Sequence, residues 1–130
     1  MGIKDLPIVL LLLGTSLDWT GSELNCQQFK TGKFTLTERE KAGTYIVERD
    51  LSFQTETDVA RGVTIRFKVT WINDCTYQLN LVEGQDETMN SYRGKTLTIR
   101  ILETYPDGYK FEVRMEGSDY RLVEVLKRMK

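Results

Sequence analysis

Side-chain catalysis needs a nucleophile, a base to activate it, or a cluster of metal ligands, and this 130-residue sequence offers few of these. It contains no histidine, so the commonest general base, the commonest metal ligand and the usual switch near neutral pH are missing together. Ser52, Ser91 and Ser118 stand in no Gly-x-Ser-x-Gly context. Glu38 with Glu40, and Asp86 with Glu87, are paired carboxylates of the kind a glycosidase uses. Both pairs fall in polar, turn-like stretches without aromatic sugar platforms, which reads as solvated surface. Glu83 to Glu87 is rich in oxygen ligands, yet its spacing matches no calcium loop. The residues point away from an enzyme, and they imply no metal and no cofactor.

A second kind of chemistry, binding without turnover, has better candidates. Tyr45, Phe53, Phe67, Trp71, Tyr77, Tyr105, Tyr109 and Phe111 all fall on what read as the dry faces of strands. Tyrosine hydroxyls need partners if buried, and Glu103 points inward in the same pattern unless one bulge near the strand end turns it outward. This set admits two readings, a plain core or the lining of a pocket for one small apolar ligand. In the second, Phe53, Phe67, Trp71, Tyr77 and Phe111 line the pocket, with Glu103 and Tyr105 at its mouth.

The strands that must position them are legible as a period of two. Val63, Ile65, Phe67, Val69 and Trp71 alternate with Thr64, Arg66, Lys68 and Thr70; Cys75, Tyr77, Leu79 and Leu81 alternate with Thr76, Gln78 and Asn80. A connection of Ile72, Asn73 and Asp74 sets Trp71 opposite Cys75, Val69 opposite Tyr77 and Phe67 opposite Leu79. Upstream, Gly32 to Thr37, Thr44 to Arg49 and Leu51 to Glu56 read as three shorter strands, the last with Leu51 and Phe53 on one face. Downstream, Leu97, Ile99 and Ile101 alternate with Thr96, Thr98 and Arg100, and Tyr109, Phe111, Val113 and Met115 return. Pro106 presets the turn between them, Gly108 takes a left-handed place, and Glu103 lies opposite Phe111. Tyr120 to Lys130 reads as a closing strand on the β-branched Val123 and Val125, with a helix facing Leu122, Val125, Leu126 and Met129 inward as the alternative, and Glu83 to Arg93 as the longest loop.

Seven or eight consecutive strands joined by short turns form an all-β, up-and-down antiparallel meander. A twisted meander of this length closes on itself to remove its edges, giving a small barrel. A two-layer β-sandwich is the alternative.

Residues 1–22 have the layout of a secretory signal peptide: Lys4 near the amino terminus, an apolar run from Leu6 to Leu13, then small and polar residues. The run is far shorter than the ~20 residues a spanning helix requires; an N-terminal anchor or a buried core segment is the alternative. Residues 23–130 then form a single domain with no membrane span, secreted or periplasmic. Lipoprotein signals carry an aliphatic residue three places before the cysteine and a small one just before it. Glu23 and Asn25 occupy those places, so acylation at Cys26 is not the reading. Outside the reducing cytoplasm, pairing of Cys26 with Cys75 is the default, with two free buried thiols or a metal site as alternatives. Without residues 1–22, 17 basic residues face 17 acidic ones, a balance that gives no field for nucleic acid.

Three stretches carry a resemblance: Cys26-Gln-Gln-Phe29-Lys-Thr-Gly32-Lys-Phe34, Arg49-Asp-Leu-Ser-Phe53-Gln-Thr-Glu56, and Val69-Thr-Trp71-Ile-Asn-Asp-Cys75-Thr-Tyr77-Gln-Leu79. They resemble a family of short, uncharacterised secreted proteins of Gram-negative envelopes, some of which carry the label of a DNA topoisomerase IV subunit. Nothing of a topoisomerase is legible here, since the chain is too short and lacks a basic surface. The family's character is lipocalin-like, and Gly32-Lys33-Phe34 sits where lipocalins carry Gly-x-Trp on their first strand. The resemblance implies a barrel and no assigned activity. The expected partners are accordingly a small apolar ligand inside the barrel or, for a filled barrel, another envelope protein.

Overall fold

The computed structural model describes residues 24–37, 44–84 and 92–130. The expectation of a signal peptide over residues 1–22 lies outside these, as do Glu38, Glu40, Asp86, Glu87 and Ser91. Among the described residues the strands are β1 (Gly32–Thr37), β2 (Thr44–Arg49), β3 (Phe53–Asp58), β4 (Val63–Asn73), β5 (Thr76–Gly84), β6 (Thr96–Tyr105), β7 (Gly108–Met115) and β8 (Arg121–Arg128). Each pairs antiparallel with the next, and β8 returns to β1, closing the barrel. The meander is the expected one, and Tyr120 to Lys130 does supply the closing strand. The closing seam is short: Phe34 faces Arg128, Thr35 faces Lys127, and Met129 N–H donates to the Lys33 carbonyl at 2.8 Å.

Alternation buries one face of nearly every strand. Phe34, Val47, Phe67, Val69, Tyr77 and Leu79 point in, as do Leu97, Ile99, Ile101, Tyr109, Phe111 and Leu126. β3 breaks the rule, since its inward residues are Gln54, Glu56 and Asp58, while Phe53 faces out. The turn before it decides this. Asp50 Oδ1 accepts the N–H groups of both Ser52 and Phe53 at 2.8 Å, an Asx turn that sets Arg49 opposite Gln54 and Val47 opposite Glu56. With Val47 inward, even-numbered residues of β3 must point inward too. Phe53 keeps its apolar ring partly covered by the Arg66 guanidinium, 4.0 Å from the ring centroid.

Three turn-level expectations are corrected. The β4–β5 hairpin pairs Trp71 with Tyr77, Val69 with Leu79 and Phe67 with Leu81, two places from the expected register. Asn73 belongs to β4 and pairs with Thr76, with a bulge at Ile72; inward parity survives because the shift is even. Glu103 does not face inward. Ile101 pairs with Phe111 but Glu103 with Lys110, so a bulge at Leu102 turns Glu103 to solvent. Gly108 is not left-handed; it is glycine because a Cβ there would overlap the Leu126 carbonyl oxygen on the neighbouring strand.

One end of the barrel is sealed by the segment before β1. A short 3-10 helix, Gln27–Phe29, drives the fully buried Phe29 against Tyr109 and Phe34, at ring separations of 5.3 and 6.4 Å. Arg128 stacks over both phenylalanines at 5.3 and 5.1 Å and donates to the carbonyls of Gln28 and Thr31. The Cys26–Cys75 disulfide fastens this segment to the β4–β5 turn. Beside it, Lys30 Nζ reaches Asp74 Oδ1 at 3.0 Å.

The bridge joins positions 49 residues apart, which chain-entropy reasoning values at roughly 4 kcal/mol. Urea unfolding of the oxidised protein and of a Cys26→Ala/Cys75→Ala variant is expected to show a loss of that order. Coincident curves would mean that the base of the barrel is held without it.

Candidate functional site

Above the sealed base the barrel interior is open. A cavity of about 510 Å³ runs toward the end carrying the β3–β4 and β7–β8 turns. Its walls are apolar in the middle, where Val47, Phe67, Leu79, Leu97, Ile99 and Phe111 meet. Leu36, Ile65, Val113, Leu122 and Leu126 complete that belt. Nearer the rim stand Tyr45, Tyr92 and Tyr120 with Asp58 and Arg61, while Glu124 stands opposite Phe111 at the level of the belt. The size falls within the range of small-molecule sites, and so does the composition, an apolar lining with few polar groups.

The floor is built around Arg49, the last residue of β2, only 4% exposed. Its five N–H groups all find acceptors. Nε donates to the Lys30 carbonyl at 3.3 Å; Nη1 donates to Gln54 Oε1 at 2.7 Å and to the Tyr77 hydroxyl at 3.0 Å. Nη2 donates to the Phe29 carbonyl at 2.7 Å and to the Tyr109 hydroxyl at 2.8 Å. The two phenol oxygens lie 2.8 Å apart. Burial acts to lower the Arg49 pKa, but the phenol oxygens and their hydrogen bonds outweigh it, and the net direction is up. The guanidinium therefore stays charged. Burial drives the Tyr77 hydroxyl well above its ordinary pKa, against the pull of Arg49, so it remains a neutral phenol.

From Arg49 the chain of hydrogen bonds climbs into the cavity. Gln54 accepts from Arg49 and passes a donor on, Nε2 to Glu56 Oε2 at 2.7 Å. Glu56 lines the cavity. Its carboxyl pKa is raised chiefly by burial, with the Gln54 hydrogen bond and the Arg49 charge acting in the opposite direction. Nearby, burial raises the Tyr92 hydroxyl, helped by Glu56, Tyr120 and Tyr45, and the Tyr92 ring packs edge-on to Phe67 at 6.1 Å. At the rim, Asp58 Oδ2 meets Arg61 Nη1 at 3.7 Å.

Of the residues picked out from sequence, Phe67, Tyr77 and Phe111 line this cavity. Trp71 lies below it, against Tyr77 at 4.5 Å and within 5.8 Å of the Arg49 guanidinium. Its indole Nε1 is buried without a hydrogen-bond partner. Phe53 borders a shallow depression on the outer wall with Lys33, Glu48, Thr55 and Arg66. Glu103 and Tyr105 sit at the sealed end on the outside, where the Tyr105 hydroxyl donates to Glu103 Oε1 at 2.7 Å. The structure therefore does not place Phe53, Glu103 or Tyr105 with the others. Arg49, Gln54, Glu56 and Asp58 were missed because polar residues were read as outward. The signal that finds them is Asp50: an Asx turn fixes the parity of β3 from that of Val47.

No protein-family model matches the chain, and no curated protein matches it. Among the described residues no helix is long and apolar enough to cross a membrane. The arrangement itself can desolvate a small apolar molecule and offer it hydrogen-bond acceptors from Glu56 and the rim.

Two expected outcomes follow from the floor. Arg49→Lys keeps the charge but offers three donors to five acceptors, so urea unfolding should show a loss of about 2 kcal/mol or more; unchanged stability would mean that the network contributes nothing. The raised Glu56 pKa makes the folded protein bind more protons than the unfolded chain between the ordinary carboxylate pKa and the raised one. That contribution to stability is present at acid pH and is lost as pH rises through the window. Wild type should thus lose stability relative to Glu56→Gln between acid and neutral pH, and parallel stability curves would contradict it.

Proposed function

We propose that this is a non-enzymatic binding protein that holds one small, largely apolar molecule inside its barrel and works outside the cytoplasm. The observation that carries the reading is the contrast between the two halves of the interior. The sealed half is packed solid by Phe29, Phe34, Trp71 and Tyr109, whereas the other half keeps about 510 Å³ open behind an apolar belt. Protein interiors are close-packed and keep few voids larger than a water molecule, so a space of this size is best explained by an occupant. Binding without turnover is supported by the lining: carboxyls, an amide, phenols and one arginine, in a chain without histidine. The extracytoplasmic setting is supported by the Cys26–Cys75 disulfide and by the resemblance to short secreted envelope proteins. The other reading, a filled barrel that acts only through its outer surface on an envelope protein, accounts for the sealed half and leaves the open half unexplained.

Nile red, an uncharged fluorophore, is expected to bind the folded protein saturably with a blue shift of its emission. Val113→Trp, which fills the belt, should weaken that binding by about tenfold or more, equivalent to ~1.4 kcal/mol, with the barrel's circular dichroism retained. Absence of saturable binding to the wild-type protein would overturn the reading.

A further inference from the structure

Polar atoms facing the cavity are unevenly divided between acceptors and donors. Among the described residues three carboxylates line it, Glu56, Asp58 and Glu124, against one cation, Arg61. That cation is engaged with Asp58 through both its backbone N–H, at 3.3 Å, and its guanidinium. Arg49 lies beneath the floor with its five N–H groups already committed to five oxygens, so it has no donor left for an occupant. Among the described residues the carboxylates outnumber the cations even with Arg49 counted. Gln54 directs its amide nitrogen to Glu56.

Glu56 is the acceptor joined to the floor, through Gln54. A carboxylate can accept about four hydrogen bonds, and one from Gln54 is seen. Setting such a group among Phe67, Leu79 and Ile65 is costly unless a donor reaches it, and the direction of its pKa agrees. The rings of Tyr45, Phe67, Tyr77, Tyr92, Phe111 and Tyr120 also line the space. Their faces are negative and attract cations.

Resting on the reading of the barrel as a carrier, we propose that its ligand is an apolar molecule bearing one protonated amine, the ammonium seated on Glu56 and the apolar body against the belt. The Glu56 carboxylate attracts the head group, and the aromatic lining of the same space favours a cation over an anion. A carboxylate head group would meet repulsion from the same residues, and a hydroxyl head group would gain a hydrogen bond without the charge.

Octylamine, octanol and octanoate share one tail and differ only in the head, and displacement of Nile red from the intact protein at neutral pH ranks them. Octylamine should displace the probe at about one tenth the concentration octanol needs or less, a preference of ~1.4 kcal/mol, and octanoate should be weakest. Glu56→Gln, nearly isosteric, should bring octylamine to within about threefold of octanol, the larger loss falling on octylamine. Octanol or octanoate equalling octylamine would overturn the inference, as would an amine preference that survives Glu56→Gln. If Nile red binds and none of the three displaces it, the amine inference alone fails. If Nile red itself does not bind, the carrier reading fails with it.

Discussion

A charged guanidinium buried at the base of the barrel is the constraint on which the other features depend. Taking Arg49 out of water is tolerable only if each of its donors is met. The five acceptors come from four separate parts of the chain: the Phe29 and Lys30 carbonyls, Gln54 on β3, Tyr77 on β5 and Tyr109 on β7. Aromatic rings add a second shell, with Tyr77 at 4.7 Å and Phe34 at 5.1 Å from the guanidinium carbon. Such a centre cannot form until the segment before β1 folds across the barrel end. The Cys26–Cys75 bridge and the Arg128 stack hold that segment in place.

The same centre divides the interior. Below and around Arg49, Gln54, Tyr77 and Tyr109 satisfy the charge while Phe34 and Trp71 cover it, and that half is filled by their rings. Above it, Gln54 and Glu56 carry a thread of hydrogen bonds into a space that the aliphatic belt surrounds without filling. Local consistency between pattern, packing and polarity is what specifies a fold, and departures from it concentrate at functional sites. The inward polar face of β3 is such a departure: it spends three core positions on Gln54, Glu56 and Asp58.

Much of this was legible in the sequence, because strand alternation and short turns report on the backbone directly. The meander and the inward faces of β4 to β7 follow from apolar residues at every second position, and the closing β8 strand from the β-branched Val123 and Val125 beside Tyr120. What was not legible depends on shifts of a single residue. The bulge at Leu102 turns Glu103 outward with no change in composition to announce it. Gly108 looks like a turn residue but answers to the Leu126 carbonyl on the next strand. β3 offers one aromatic, Phe53, among polar residues, and reading that ring as core inverted the strand. The cross-strand partner of Val47 decides the matter, and it is fixed by the Asp50 turn rather than by hydrophobicity. Arg49 was invisible for a related reason, since the acceptors that permit its burial are brought together only by the closed barrel.

The central claim is that the interior above Arg49 is an open, occupiable site. A crystal structure of the protein purified without added ligand tests it most directly, through the density in that space. The account predicts the Arg49–Gln54–Glu56 thread at the floor, Phe67, Phe111 and Tyr92 standing back against the walls, and density between them that belongs to solvent or to a co-purified molecule. A barrel in which those rings have closed over Glu56 and packed the space solid would contradict it, and would move the protein's function to its outer surface.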